Sequence, residues 1–326
     1  MARMPAALSI VIPTFNTAAM TLACCRAAMA AAPEAEIVVV DDASSDGTAA
    51  LLRAELPELM VVRLDENRRF AGAANVGLAM SSGRILLLLN SDATLDARSV
   101  QALLDAFDAD PGLGIAGARL LNADGTPQWS GGPLPTLPWL LVMVTGAARF
   151  LPRRRKSDGS APVAWVSGAA MAIRREAWEA AGPLRESYRF YAQDLELCAR
   201  AGKAGWRVRI VEEARVVHAG GATMRNWRDV EELPHDPSLL WLDLMTWGRR
   251  HYGRAWSLIA FPAVCTAAFL RIAVRRMLRR PRSATEAYAA ALRQLLVERE
   301  QLTGKTVGGV TRLDEPPSGV AKSSRP

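Results

Sequence analysis

The chain has 326 residues, half of them hydrophobic, enough for one large α/β domain with an appendage or for two ordinary domains. Four cysteines without C-x-x-C spacing (Cys24, Cys25, Cys198, Cys265) and only three histidines argue against a disulfide framework and structural zinc, and fit a reducing cytoplasm. The net charge of +7 belongs to one segment: Arg249 to Arg282 holds nine arginines and no acid. These arginines flank an apolar stretch, Ala255 to Leu270, rather than spreading over a face with stacking aromatics, which argues against nucleic acid and toward an anionic membrane surface.

Along the chain, Ala6 to Ile12 is too short, and too quickly ended by Pro13, for a signal-peptide core, and it reads as the first strand. Leu8–Ile12, Glu36–Asp41, Met60–Leu64 and Arg84–Asn90 read as strands, separated by helical patterns at Thr17–Ala31, Gly47–Glu55 and Ala71–Ser81. That alternation implies right-handed β-α-β crossovers and a mostly parallel sheet. Ile85 to Leu89 are five aliphatic residues without alternation, as suits a strand covered on both faces. The run stops at Asn90-Ser91-Asp92, which sets a carboxylate at the rim of the sheet, where α/β proteins keep chemistry. A carboxylate there can take a divalent cation whose other ligands are diphosphate oxygens and water, or Asn90 and Asp92 can cap a following helix over Leu95–Phe107.

A fifth strand is expected near Ile115–Leu121, then an irregular excursion over Asn122–Pro162 that carries Trp129, Trp139 and the run Arg153-Arg154-Arg155-Lys156. Within it, Trp139 to Val144 suits contact with lipid or an apolar acceptor, or an ordinary packed helix. Strand-like residues return at Val163–Arg174, followed by a helix from Arg175, a turn at Gly182-Pro183, a helix opening near Asp194, and strands at Trp206–Val211 and Ala214–His218. The pattern divides the chain into an α/β domain over residues 1–225, a helical basic extension over 226–303, and a tail over 304–326 whose lack of periodicity predicts disorder. In the extension, the apolar stretch of 16 residues contains Pro262 and is shorter than the roughly 18 to 20 residues that span a bilayer comfortably. Beyond it, Leu270, Ala273, Val274, Met277 and Leu278 share one side of a helix, and Arg271, Arg275, Arg276, Arg279 and Arg280 the other. This stripe either lies on a membrane or docks the helix on the domain.

Asp41 and Asp42 end a second strand, where they can accept from a base N–H and from ribose hydroxyls. Counted from Asp42, positions 1, 5 and 6 of a calcium loop match, but Arg53 stands where a bidentate Glu is needed, which argues against calcium. Gly72-x4-Gly77 lacks the Lys and Ser/Thr of a phosphate loop, and Pro13-Thr14-Phe15-Asn16 has no glycine for a dinucleotide fingerprint.

In order, Ser9-Ile10-Val11-Ile12-Pro13-Thr14-Phe15-Asn16, Val40-Asp41-Asp42-Ala43-Ser44, Asn90-Ser91-Asp92, Val166-Ser167-Gly168-Ala169-Ala170-Met171, Gln193-Asp194-Leu195-Glu196-Leu197 and Val217-His218 resemble family 2 inverting glycosyltransferases, most closely their rhamnosyltransferase-like branch. The resemblance covers about Leu8 to His218. It implies a GT-A fold, a nucleoside-diphosphate sugar donor, a lipid-linked or glycan acceptor, and Mg2+ or Mn2+. By the same match, Pro13, Thr14, Asn16, Asp41, Asp42, Asn75 and Ser91 would hold the nucleotide sugar, Asp92 and His218 the metal, and Asp194 would be the general base. On residue type alone, Asp194 serves equally as an acid at a helix N-terminus, and His218 as a hydrogen-bonded histidine at a strand end. The chain departs from the family pattern at Gln193, where an acid precedes the base; at Asn67 to Phe70, where a missing glycine forces positive φ on Arg69; and at Arg185, where an Asp is expected. The expected protein is a cytoplasmic glycosyltransferase, peripheral on the inner face of the cell membrane. The alternatives are a non-catalytic sugar-nucleotide-binding scaffold and an RNA-binding protein that uses the basic tail.

Overall fold

The computed structural model describes residues 7–147, 163–219 and 236–304; the Arg153 to Lys156 run and the tail past residue 304 lie outside the described residues. Strands β1 (Leu8–Thr14), β2 (Glu36–Asp41), β3 (Met60–Arg63) and β4 (Ile85–Leu89) alternate with helices α1 (Ala18–Ala31), α2 (Thr48–Glu55) and α3 (Arg69–Met80). The four strands are mutually parallel, with Val11 opposite both Val38 and Leu88. Pro13 lies past the last β1–β4 partner, Val11, where its missing N–H costs no ladder bond to β4.

The chain continues through β5 (Ala93–Thr94), α4 (Ala97–Ala109), β6 (Leu113–Leu121), β7 (Gly131–Gly132), α5 (Leu137–Thr145), β8 (Trp165–Val166), β9 (Ala170–Arg174), α6 (Arg175–Ala181), α7 (Gln193–Lys203) and β10 (Arg207–His218). The large sheet has the order β3-β2-β1-β4-β9-β6-β10-β5. β9 runs antiparallel between β4 and β6, and β10 pairs in parallel with β6. The beginning of β9 therefore lies at the same edge as the C-terminal ends of β1, β2, β4, β6 and β10. The strand-like residues Val163–Arg174 divide at Ser167–Ala169, and the two strand segments expected at the domain's end are one strand with an irregularity between Val211 and Arg215. The Asn122–Pro162 excursion contains the packed helix α5, capped by Thr136.

Alternate residues of β4 enter two different cores. Ile85, Leu87 and Leu89 pack with α1 and α4, whereas Leu86 and Leu88 pack with α3, α6 and α7. Helix α3 reaches the sheet at Gly77, where a Cβ would fall 2.4 Å from Val11 Cγ1. The close approach is possible only without a side chain at that position.

Three further helices, α8 (Pro237–Met277), α9 (Arg282–Val297) and α10 (Arg299–Thr303), follow. Helix α8 breaks at Gly253 (φ 83°) and then runs through Pro262, so the apolar stretch sits inside a much longer helical element than its own length suggests. Among the described residues it is the one helix long and apolar enough to cross a membrane, by length and composition only. Its inner side shares a core with α5, α7 and the segment before α7, through Trp241, Met245, Trp247, Val264, Leu140, Tyr188 and Leu195. Two of the arginines expected on the basic face turn inward: Arg271 donates to the carbonyls of Met143 and Val144 at the end of α5 and stacks 3.8 Å from the Tyr288 ring, and Arg275 donates to Thr285. The apolar stripe points outward instead, with Leu270, Val274, Met277 and Leu278 at 52%, 40%, 74% and 52% exposure. The stripe therefore does not dock the helix on the domain.

Candidate active site

Positive φ marks the loops at the functional edge of the sheet. Among the described residues, four of the five non-glycine residues in the left-handed region are Asn16, Ala43, Arg69 and Ala192, in the loops after β1 and β2 and at the starts of α3 and α7. Such residues cost on the order of 1–3 kcal/mol each and persist where the surroundings over-determine them. Arg69, with φ 61°, takes the conformation that the missing glycine demands. Its neighbour Arg68 donates its N–H to Asp42 Oδ1 at 2.7 Å, and Asn67 bonds the Asp42 carbonyl.

Asp41 and Asp42 are both buried at the end of β2. Asp41 Oδ1 accepts from the Ser44 N–H at 3.0 Å, whereas Oδ2 has no hydrogen-bond partner among the described residues, the nearest cation being Arg63 Nε at 3.6 Å. An orphaned carboxylate oxygen in a buried rim position is an acceptor waiting for a donor such as a base N–H. Thr14, Thr17, Thr21 and Ser91 link their hydroxyls across β1, α1 and the β4 end at 2.7–3.1 Å. Asn16 accepts from Ser45 and its own N–H donates to Ser44 Oγ, tying the β1 loop to the β2 loop. Asn75 sits apart from this group. Its amide both donates to and accepts from the Leu184 backbone, at 2.8 Å each way.

At the end of β4, Asp92 Oδ1 lies 3.2 Å from His218 Nε2, and both side chains are largely buried. Helix α4 is capped by Asp96, which accepts from Ser99, so neither Asn90 nor Asp92 is consumed as its cap. His218 is set opposite Ala93 by the β10–β5 pairing, and its ring is oriented by Gln128. The Gln128 amide nitrogen donates to the His218 carbonyl at 2.6 Å, which leaves Oε1 to accept from Nδ1 at 2.9 Å. Nδ1 therefore carries a proton, and Nε2 faces Asp92 and the Asn90 amide. No cluster of three or more His, Cys, Asp or Glu side chains among the described residues could hold an ion by itself. Two converging donors suit a divalent cation that completes its shell with diphosphate oxygens and water.

Asp194 opens α7 beside the same edge. Asn90 N donates to the Ala169 carbonyl at 2.9 Å, and the adjacent Gly168 N–H donates to Asp194 Oδ2 at 3.0 Å, so one short backbone step joins the end of β4 to this carboxylate. Its Oδ1 accepts from Leu195 N–H at 2.7 Å, which is also the bond expected of an acid at a helix N-terminus. The Gly168 backbone comes close to both Phe70 and Asp194: a Cβ there would lie 3.3 Å from the Phe70 ring and 3.6 Å from Asp194 Cβ. Burial pushes the Asp194 carboxyl above the ordinary Asp range, against the pull of the Gly168 and Leu195 N–H groups. A carboxylate with a raised proton affinity at a strand-end rim is suited to accepting a proton.

Residues 9–180 match the family model described as glycosyl transferase family 2. The chain belongs to glycosyl transferase family 2. Asp194, His218 and the C-terminal helices of this family 2 chain lie past the matched residues. It is 27% identical over 217 residues to an N-acetylglucosaminyl-diphospho-decaprenol L-rhamnosyltransferase of Mycobacterium tuberculosis (strain H37Rv), across 56% of this chain and 66% of that protein. It is 28% identical to the O-antigen biosynthesis protein RfbC of Myxococcus xanthus, across 59% of this chain and 16% of that protein. The family 2 chain thus spans just under two thirds of the first relative and a small part of the second. Its fold is similar to that of S. aureus TarS in a crystal structure, with a TM-score of 0.50 at 16% identity over 91% of this chain and 55% of that one.

Several residues that organise the site of this family 2 chain carried no motif. Gln128 lies in the Pro-, Gly- and Trp-containing excursion, where no motif marks it. Asp243 has a signal that sequence reasoning passed over, a lone acid inside Leu239-Leu240-Trp241-Leu242-Asp243-Leu244-Met245, since a carboxylate on an apolar helix face must find partners.

Asp42 yields a pH dependence of stability. Burial raises its carboxyl to about 6, with Arg68 and Arg69 N–H groups opposing and Asp41 adding to the rise. An unfolded Asp titrates near 4, so the folded chain holds this proton more tightly, by about 2–3 kcal/mol. That contribution is full below about pH 4 and is lost as pH rises through about 6. In calorimetry without donor, the melting temperature should fall between pH 4.5 and 7 in the wild type and stay flatter in Asp42→Asn. Identical pH profiles for the two proteins would remove Asp42 as the cause.

Proposed function

We propose that the chain is an inverting glycosyltransferase that moves a sugar, L-rhamnose by likeness to the mycobacterial relative, from a nucleoside-diphosphate donor to a lipid-linked or glycan acceptor in cell-surface polysaccharide synthesis. The observation that carries this reading is the convergence at one sheet edge of Asp194, the Asp92–His218 pair and the buried Asp41 and Asp42. The catalytic part is residues 1–225, and 226–303 is the helical extension. Asp41 Oδ2, Asp42, Thr14, Asn16 and Ser91, with Pro13 shaping the β1 loop, bind the nucleotide sugar; Asn75 supports them by pinning the Leu184 segment. Asp92 and His218 Nε2 hold Mg2+ or Mn2+, which when bound neutralises charge on the leaving diphosphate.

Asp194 takes the proton from an acceptor hydroxyl as its oxygen bonds to the anomeric carbon. The carbon–oxygen bond to the diphosphate breaks with its electron pair leaving on the nucleoside diphosphate. A single displacement from the face opposite the leaving group inverts the centre and requires no covalent intermediate.

The exposed apolar stripe of α8, bordered by the exposed Arg276, Arg279 and Arg280, supports peripheral attachment to the anionic cytoplasmic face of the membrane. There the enzyme would meet a lipid-linked acceptor.

The test is hydrolysis of a panel of sugar nucleotides with Mg2+ or Mn2+, run beside flotation on vesicles of anionic phospholipid. Turnover of one donor that stops on chelation, together with salt-sensitive flotation, is the expected result. Donor binding in calorimetry without turnover, even with a lipid-linked acceptor present, would support the scaffold instead, and no flotation at low salt would remove the membrane role.

A further inference from the structure

Helix α8 supplies the carboxylate around which the segment leading into α7 is folded. Asp243 is buried and accepts three successive backbone N–H groups, from Arg189 on Oδ1 at 2.9 Å and from Phe190 and Tyr191 on Oδ2 at 2.9 and 2.7 Å. Successive N–H groups converging on one anion form a concave nest whose dipoles favour negative charge. The next residue, Ala192, is held at φ 66°, and Asp194 follows two residues later. A left-handed alanine needs its neighbours fixed from outside, and the nest on Asp243 fixes the three residues before it.

Further contacts of this segment also come from the C-terminal helices. The Asp236 N–H donates to the Tyr191 hydroxyl at 3.1 Å, Arg189 pairs with Glu298, and the Arg250 guanidinium lies 5.4 Å from the centre of the Tyr188 ring. On α7 itself, His251 Nε2 meets Glu196 Oε2 at 2.6 Å, and the His251 ring stacks on Trp247. Glu196 is two residues from Asp194 and also receives the Tyr188 hydroxyl at 2.9 Å. Burial pushes the Glu196 carboxyl up, but His251, Tyr188 and Arg200 outweigh it and hold it at about 2, so this anchor is ionised at any working pH.

We propose that Asp243 and His251 are positioning residues, through which α8 sets the backbone and rotamer of Asp194. This inference rests on Asp194 being the general base. It makes the C-terminal extension a part of the active site as well as a membrane attachment. Among the described residues, the Asp194 carboxylate is held by the Gly168 and Leu195 N–H groups, and a misplacement of about 1 Å in a reacting group can cost about 100-fold in rate. Membrane contact on the outer face of α8 and base geometry on its inner face are then properties of one helix.

The test uses the full chain and the donor that the wild type hydrolyses, with Asp243→Asn and His251→Ala as variants. An Asn at 243 has one acceptor oxygen in place of two, so it cannot satisfy all three N–H groups. Expected are a fall in kcat of at least tenfold for Asp243→Asn and severalfold for His251→Ala. The KM and calorimetric Kd for donor should stay within twofold of wild type, because the nucleotide and metal residues stand on other elements. Should Asp243→Asn not fold, His251→Ala, which leaves the nest intact, carries the same readout. Wild-type kcat in the folded variants, or a loss of donor affinity equal to the loss of kcat, overturns the inference. A wild type that turns over no donor or acceptor pair overturns the proposed function itself, a result separate from unaffected variants of an active enzyme.

Discussion

Replacing Asp194 by Asn should lower kcat for sugar transfer by about 10²–10⁴-fold, the range for loss of a general base, with donor affinity unchanged. Asn keeps the size of the side chain and one acceptor oxygen for the Gly168 or Leu195 N–H, so the fold should survive. It cannot take a proton from an acceptor hydroxyl. The raised proton affinity of Asp194 adds a second readout: a base must be ionised to work, so kcat should climb with pH through a value above the ordinary Asp range and then level off. That limb should vanish in the residual activity of Asp194→Asn. Full kcat in the variant, with circular dichroism matching the wild type, would assign Asp194 to the helix N-terminus alone.

The second large effect is on stability, and it distinguishes a strand covered on both faces from an amphipathic one. Leu87 and Leu88 are neighbours on β4 with side chains in different cores, both essentially inaccessible. Leu87→Ala and Leu88→Ala should each destabilise the protein by about 2–5 kcal/mol, through lost transfer energy and the cavity left behind. In a strand with one solvated face, one of the pair would cost almost nothing. Urea melts of both variants decide the matter, and a loss under about 1 kcal/mol in either would mean that one face of β4 is not a packed core.

Much of the sheet was legible because its information is local. Five aliphatics without alternation at Ile85–Leu89 mean burial on both faces whatever the neighbours are, and strands alternating with helical patterns at Glu36–Asp41 and Met60–Leu64 mean parallel crossovers. The positive φ of Arg69 was legible for the same reason, since a turn that usually takes glycine imposes its dihedral on whatever stands there. The ends of these strands hold the acids, so Asp41, Asp42 and Asp92 could be named from the ends of apolar runs.

What the amino-acid sequence could not decide was which distant residues meet those acids. His218 faces Asp92 only because β10 crosses the sheet and pairs with β5, and its tautomer is set by Gln128, 90 residues away in the chain. Which side of α8 faces the domain was likewise not written in its periodicity. Apolar and basic stripes at helical spacing are compatible with either orientation, and packing against α5 and Tyr288 turned Arg271 and Arg275 inward and left Leu270 and Met277 outside. Asp243 is the extreme case: a single acid in an apolar helix acquires its meaning only when the backbone of residues 189–191 folds around it. Periodicity and strand ends are properties of neighbouring residues and survive in one dimension, whereas hydrogen bonds between elements depend on the path the chain takes between them.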